Sequence, residues 1–564
     1  MNPSSEQYDV TILGGGLAGL TCALHCLKES PDAKILVLEK GAHPVPESAH
    51  KIGESSVEVG AHYFREFLGL EEHLENDQIP KMGLRLFFDW EDNSQIDKRL
   101  ELGGTNFPPA PSYQFDRGRF ENYLGERVRS LGIDFRDETR VKQVDLKGGR
   151  ARHIVDYEKD GEKGQVHSRW VVDATGRAGF LKKKLGLKKE CSHKASSAWL
   201  RIGKRVKVDD WSTDEKWQEH FSEDHPRWQS TNHLLGEGYW IWLIPLASGS
   251  TSIGIVADEA LHPISGFNSQ EKMLSWIEER EPQLAADLRE NESLIQDFSA
   301  IKRYSMECGQ MYSTKRWGIV GDAGFFIDPF YSPGNDFIAL SNSFVCELIK
   351  RDLAGKSNLV RVPLYNHLFG LFFNGTGLIF KENYPVFGNH QVMPIKILWD
   401  WMVYWTITGH IFIQGRLCQP GMYARHMMHL KRLNDLNHDL QAHFRRWNKE
   451  KPSHEVGGTI DTSKLCFIMD TNRRLIDQLD DKGFSERFAS NVAQMETLFW
   501  EIVDHSGMEI ETSIKRREHS DVVRGGIDMV FSMVSQEPGA PGMNSEETEE
   551  SSAKSKVEEP AMTS

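Results

Sequence analysis

The sequence predicts an α/β fold: a Rossmann-like dinucleotide-binding region with an inserted β-sheet, followed by a mainly α-helical C-terminal region. Three observations predict it. The stretch "YDVTILGGGLAGLTCALHCLKESPDAKILVLEK" from Tyr8 reads strand, glycine turn, helix, strand. Two later apolar strands end in short glycine-acid turns, "RWVVDATGRAG" (169–179) and "WGIVGDAGFFIDP" (317–329). Beyond residue 356 the pattern turns mainly helical, to about 535. The expected organisation is 1–355 for the dinucleotide region, with sheet insertions at about 80–115 and 190–300, then 356–535 helical. Residues 536–564 carry seven acids and two lysines among Glu, Ser and few apolar residues, and read as a disordered acidic tail.

The first unit is justified part by part. Tyr8 to Leu13 are β-favouring and mostly apolar, Leu17 to Lys28 has helical spacing, and "KILVLE" is a second buried strand. Gly14, Gly16 and Gly19 form GxGxxG. Gly14 allows the tight turn, Gly16 lets the backbone approach a pyrophosphate, and Gly19 lets the helix pack on the strand. Leu17 and Ala18 open the helix, whose free N–H groups and dipole point at phosphates. Glu39 ends the second strand, at the distance where an acid binds a ribose hydroxyl, and Lys40 follows it. These residues leave NAD and FAD both open.

Charge and composition exclude other classes. The net charge of −15 argues against a nucleic-acid binder that works by phosphate neutralisation. Seven cysteines without a CxxC pair, Cys22 and Cys26 lying one helical turn apart, read as reduced buried thiols of a cytoplasmic protein. No secretory signal precedes the first strand. The most apolar late stretch, "PIKILWDWMVYWTITGHIFIQG" (394–415), is interrupted by Lys396, Asp400 and His410, so it reads as a buried or interfacial helix and no transmembrane span is expected. Trp399, Trp401, Tyr404 and Trp405 cannot share one helix face; core packing is expected, with an aromatic substrate wall as the alternative. His426 and His429 lack a third ligand and read as packed, not metal-binding.

An early GxGxxG, a middle strand ending Asp173-Ala174-Thr175-Gly176 and a late Gly321-Asp322 resemble the FAD-dependent monooxygenase superfamily. That resemblance selects FAD and implies Asp322 at the ribityl chain or ribose. "YQFDRGRFENYL" (113–124) is similar to the same group's helix start, which implies Arg117, or failing it Arg119, near the phosphates.

"GYWIWLIPL" (238–246) is by period an alternating strand with Trp240 and Trp242 on one face, and period alone makes it a core strand. Yet Trp240-Ile241-Trp242-Leu243-Ile244-Pro245 also resembles the WxWxIP mark of the flavin-dependent halogenases, the "tryptophan halogenase" family. Phe326, Pro329, Ser332 and Gly334 fit that family's second mark, FxxPxxSxG. The resemblance covers roughly 8–355. It implies reduced FAD from a separate flavin reductase, and O2 added as a C4a-hydroperoxide. It further implies chloride or bromide oxidised to hypohalous acid, and a lysine that passes halogen to an electron-rich metabolite, free or tethered to a carrier. Lys81 in "PKMGLRLFFDW" resembles that lysine, with Ser332 as its catalytic companion; an exposed lysine after a proline is the alternative. Gly53, Glu54 and Ser55 of "KIGESS" resemble the family's loop beside the flavin; a helix N-cap at Ser55 or Ser56 is the alternative. Pro329, Gly334 and Asn335 complete the implied flavin contacts.

Two departures follow. The residue before the motif serine is a glutamate in indole halogenases and Tyr331 here, which argues against tryptophan as substrate. Pro333 removes one backbone N–H from the implied halide site, leaving Gly334 and Asn335. That loss favours the rival reading, a flavin hydroxylase without halide. A third reading is a non-catalytic flavin-binding partner of a biosynthetic complex.

Overall fold

The computed structural model describes residues 6–47, 51–222, 224–451, 453–517, 526–536 and 543–544. The expected tail lies outside these residues, apart from Gln536 and the strand Met543–Asn544, which pairs in parallel with Gly458–Thr459.

The first sheet has eight strands. Glu6–Leu13 sits centrally, parallel to Ile35–Leu38 on one side and Glu162–Asp173 on the other. Asp134–Arg136 and Trp317–Ile319 extend it, also in parallel. Val10, Ile12 and Leu13 are fully buried, as expected of a strand covered on both faces. The helix Leu17–Glu29 packs against Arg117–Ser130 and the long helix Gly334–Leu353. Where it meets the latter, Cys26 Sγ lies 3.3 Å from Cys346 Sγ, and Cys22 Sγ 4.0 Å from it. All seven cysteines are free.

The second sheet has nine strands, built mainly from the antiparallel run Thr231–Gly236, Tyr239–Pro245, Thr251–Asp258, Ala195–Ile202 and Ile295–Ile301. Leu84–Phe87 joins Thr231–Gly236 in parallel, and Leu100–Gly103 follows it. One face packs on the helices Gln270–Arg280 and Pro282–Glu290 around a separate apolar core. The other face carries Trp199, Trp240 and Trp242 toward the first sheet's core.

The helical region is interlocked with both sheets. It returns the strand Gly458–Asp461 to the second sheet, parallel to Leu100–Gly103. The stretch read as a buried helix runs Met393–Tyr404, a π-turn Trp405–Gly409 and His410–Ile413. Lys396 Nζ and Asp400 Oδ2 pair at 2.6 Å in its interior, both 1% exposed. Among the described residues no helix is long and apolar enough to cross a membrane. Trp399 turns into the helical core, donating from Nε1 to Asn437 Oδ1 at 3.0 Å, and His426 and His429 pack on Phe488.

Candidate active site

The glycine loop closes as its spacing predicts. Gly14 has φ +106°, and a Cβ there would lie 2.4 Å from Ala174 O. A Cβ on Gly19 would lie 1.9 Å from Gly14 O, so this glycine serves helix–strand packing and stands outside the cavity the loop borders. At Gly16 the nearest atom to a Cβ would be Glu121 Oε1 at 3.9 Å, which leaves open the space a pyrophosphate needs. Gly16 caps the helix Leu17–Glu29 with no side-chain bond to its first N–H groups. Glu39 accepts from Gly15 N (2.7 Å) and Gly41 N (2.8 Å), which fixes its carboxylate beside the loop.

A cavity of about 1160 Å³ runs from this loop to the turn 326–336. Apart from Gly19 and Lys81, the leading catalytic and cofactor candidates line it: Gly14, Gly16, Leu17, Ala18, Glu39, Lys40, Gly53, Glu54, Ser55, Arg117, Asp322, Pro329, Ser332, Gly334 and Asn335. Arg117 bonds Ile52 O (2.6 Å) and Glu121 Oε1 (2.5 Å), whereas Arg119 pairs with Glu47 at the surface. Burial raises the Asp322 carboxyl, opposed by Arg117, Arg177 and Lys182. Trp240 and Trp242 also line the cavity, 5.7 Å apart by ring centroid. The glycine cradle, the uncapped helix and the length of the cavity fit an FAD.

The rigid turn is held from behind. Asp328 accepts from Tyr304 (2.7 Å), His193 (2.8 Å) and Tyr384, and Ser332 N bonds Pro329 O at 2.8 Å with Ser332 at φ +56°. Pro333 is the N-cap of the helix Gly334–Leu353, and the first intrahelical bond is Phe337 N to Pro333 O. The amides of Gly334, Asn335 and Asp336 therefore precede any i−4 partner. Pro333 lacks an N–H, and of the amides after it those of Gly334 and Asn335 belong to residues lining this cavity, while Asp336 borders another. A Cβ on Gly334 would meet nothing within 4 Å.

Ser55 and Ser56 do not cap a helix. The helix Glu58–His62 starts after Val57 without a side-chain cap. Ser55 Oγ and Ser56 O instead accept from Lys81 Nζ, each at 2.9 Å. Glu54 is ion-paired to Arg201 at 2.8 Å, and Arg201 to Asp297 at 2.6 Å. Lys81 is 1% exposed, which excludes the exposed reading. Burial pushes its amine down to about 7, against the opposite pull of Glu58 and Asp336.

Lys81 does not face the first cavity. It lines a second one of about 750 Å³, and Pro333 and Phe337 border both. Trp401, Tyr404 and Trp405 line this second space, so the aromatic cluster divides, Trp399 to the core and the others to a cavity wall. Tyr331 reaches the same wall and donates to Asp400 Oδ2 at 2.9 Å, with Gln441 donating to Asp400 Oδ1 at 2.6 Å.

Sequence reasoning missed Glu58 and Asp336. Both are buried beside Lys81, and burial pushes Asp336 up to about 8 and raises Glu58. Asp336 accepts from Gly60 N at 2.8 Å, and Glu58 from Asn472 at 2.9 Å. Glu58 follows the "GESS" loop by two residues, but only the helical region brings Asn472 and Trp405 to it.

A family model described as "FAD binding domain" matches residues 7–317. The flavin-dependent halogenase chlA of Dictyostelium discoideum is 26% identical over 432 residues, 71% of this chain and 70% of that one. A 1H-pyrrole-2-carbonyl-[peptidyl-carrier protein] brominase of Pseudoalteromonas luteoviolacea is 26% identical over 366 residues, 64% of this chain and 81% of the other. Among solved structures, halogenase PltM in complex with phloroglucinol and FAD is similar in fold, with a TM-score of 0.61 at 14% identity, covering 88% of this chain and 96% of that one.

Proposed function

Because the chain belongs to the FAD binding domain family, we propose that it is an FAD-dependent halogenase acting on an electron-rich aromatic metabolite. When bound, reduced FAD would supply two of the four electrons that reduce O2, and the halide the other two as it becomes hypohalous acid, the second oxygen leaving as water. Gly14, Gly16 and the N-terminus of Leu17–Glu29 would hold the pyrophosphate, Glu39 a ribose, and Asp322 with Arg117 the intervening chain. The amides of Gly334 and Asn335, which line the flavin cavity, offer chloride or bromide a helix N-terminus.

The observation that carries the reading is the seam between the two cavities. Lys81 lines the second and bonds Ser55, which lines the first. Burial holds its amine down to about 7, so a share of it carries a neutral lone pair to capture oxidant near neutral pH. Tyr331 and Pro333 close the wall from the other side, and the apolar lining excludes water from the transfer. Ser332, on the flavin side of the turn, would orient the oxidant as it leaves.

Reduced FAD would come from a separate flavin reductase. Seven free thiols fit a reducing, cytoplasmic compartment. The test supplies FAD, O2, NADH and bromide to the purified protein, with and without an added flavin reductase, over a panel of aromatic compounds. Brominated product that requires both bromide and reductase is expected. Product that is hydroxylated and indifferent to halide would replace this reading with the hydroxylase, and product formed from NADH without the reductase would remove the two-component part.

A further inference from the structure

The second cavity has a strongly uneven wall. Leu340, Leu368, Phe372, Ile379 and Trp405 make most of it apolar, and Leu371 (52% exposed) and Met427 (63% exposed) form part of its rim. Polar groups are spread around the rest of it, His367, Asp400, Asn434 and Asn437 among them, and Lys81, Glu58 and Asp336 meet at one place in the wall. The chemistry of these groups is asymmetric. Two of the three Lys81 donors are spent on Ser55 Oγ and Ser56 O. Asp336 is engaged by Gly60 N and, through its hydrogen bond, by Tyr404. Glu58 accepts from its own backbone N–H, Trp405 and Asn472, which leaves one of a carboxylate's roughly four acceptor positions.

We infer that Glu58 is a substrate-binding residue, accepting the hydrogen bond of a hydroxyl on an uncharged aromatic ligand whose bulky apolar remainder fills the second cavity. The inference rests on the halogenase reading only for calling that ligand the substrate. Three arguments carry it. Glu58 keeps acceptor capacity whether ionised or neutral, so this place suits a ligand that donates, and an anionic ligand would face two acids in a dry site. The cationic side chains in the lining are Lys81, engaged as above, and Lys431, paired with Asp435 at 2.5 Å, which leaves little for a carboxylate or the phosphate of a carrier arm. The volume is several times the roughly 150 Å³ that holds a benzene ring, so a single small ring leaves most of the apolar wall uncovered.

The test measures binding to the FAD-loaded protein by calorimetry, with 4-heptylphenol, its methyl ether and 4-heptylbenzoate as probes. The phenol should bind saturably, and the ether and the benzoate at least about tenfold more weakly. Glu58→Leu should bring phenol and ether to within about twofold of each other while FAD stays bound. If that variant does not fold, Glu58→Gln, which keeps the volume and an acceptor for Asn472, should cut the preference at least threefold. Equal binding of phenol and ether to the native protein, tighter binding of the benzoate, binding that requires a carrier-joined ligand, or an undiminished preference in both variants would overturn the inference. Halogenation of a dissolved 1,3-diketone that traps hypohalous acid, measured on the same preparation, reports on the flavin side alone. Loss of that signal with the phenol preference intact would therefore count against the halogenase reading and not against Glu58.

Discussion

The two cavities share Pro333 and Phe337, yet they are built in opposite ways. The flavin cavity is made by local backbone: a glycine loop, two helix N-termini and a braced turn, each encoded within about a dozen residues. The second cavity is made by side chains from segments far apart in sequence, and its wall is held by contacts such as Glu58 to Asn472 and Tyr331 to Asp400. A site built largely from backbone is most sensitive to substitution at its glycines and at the few side chains that reach the ligand. A site built from distant side chains is sensitive at each of its anchors, and it can change ligand while the first site stays the same.

That contrast is sharpened most by Lys81→Met. Turnover on an organic substrate should fall by on the order of 10⁴-fold, the upper range for a lost proton-transferring or nucleophilic side chain. FAD affinity and release of oxidant to a dissolved trap should persist. Loss of FAD binding would show that the cavities are not separable.

Asp400→Asn attacks the second wall from inside. It leaves Lys396 buried with no opposing charge, at a cost of about 3–5 kcal/mol, while Gly14, Gly16 and Asp322 are untouched. A marked drop in the thermal midpoint is expected, with FAD affinity retained at temperatures where the variant is folded.

The pH profile separates the cavities next. The Lys81 amine is held near 7, and only its neutral form has a lone pair, so that form grows as pH rises. Turnover should climb nearly tenfold per pH unit below about 6.5 and flatten above about 7.5, while FAD binding stays level over the same range. A profile that falls through neutrality would contradict the role given to the amine.

The smallest effect is expected of Tyr331→Phe. Asp400 keeps Lys396 and Gln441, so the lost hydrogen bond is worth about 1 kcal/mol. A much larger loss of turnover would move Tyr331 from the wall into the chemistry.

The same contrast explains what the sequence could say. GxGxxG, the strand ends at Asp173 and Asp322 and the turn 326–336 are short-range patterns whose geometry is local, and the structure gathers nearly all their residues into one cavity. Among the exceptions, Gly19 is a packing glycine whose role the spacing already implied, and Tyr331 and Asp336 turn to the second cavity. Pro333 falls at the helix cap and not within the first helical turn, which a residue-type count of amides does not report. Glu58 and Asp336 were illegible: nothing local marks an acid on a short helix as buried beside a lysine that precedes a different strand. The four aromatics at 399–405 signalled burial, but which of them face a void depends on how Met393–Ile413 docks, which no periodicity reports.

The most direct test of the central claim is a titration of chloride and bromide against the FAD-loaded protein, supplied with flavin reductase, NADH and O2, following halogenation of the trapping diketone. The account predicts saturable, halide-specific product formation, abolished when O2 is withheld and retained in Lys81→Met. Oxygen consumption that proceeds with no halogenated product at any halide concentration would contradict it.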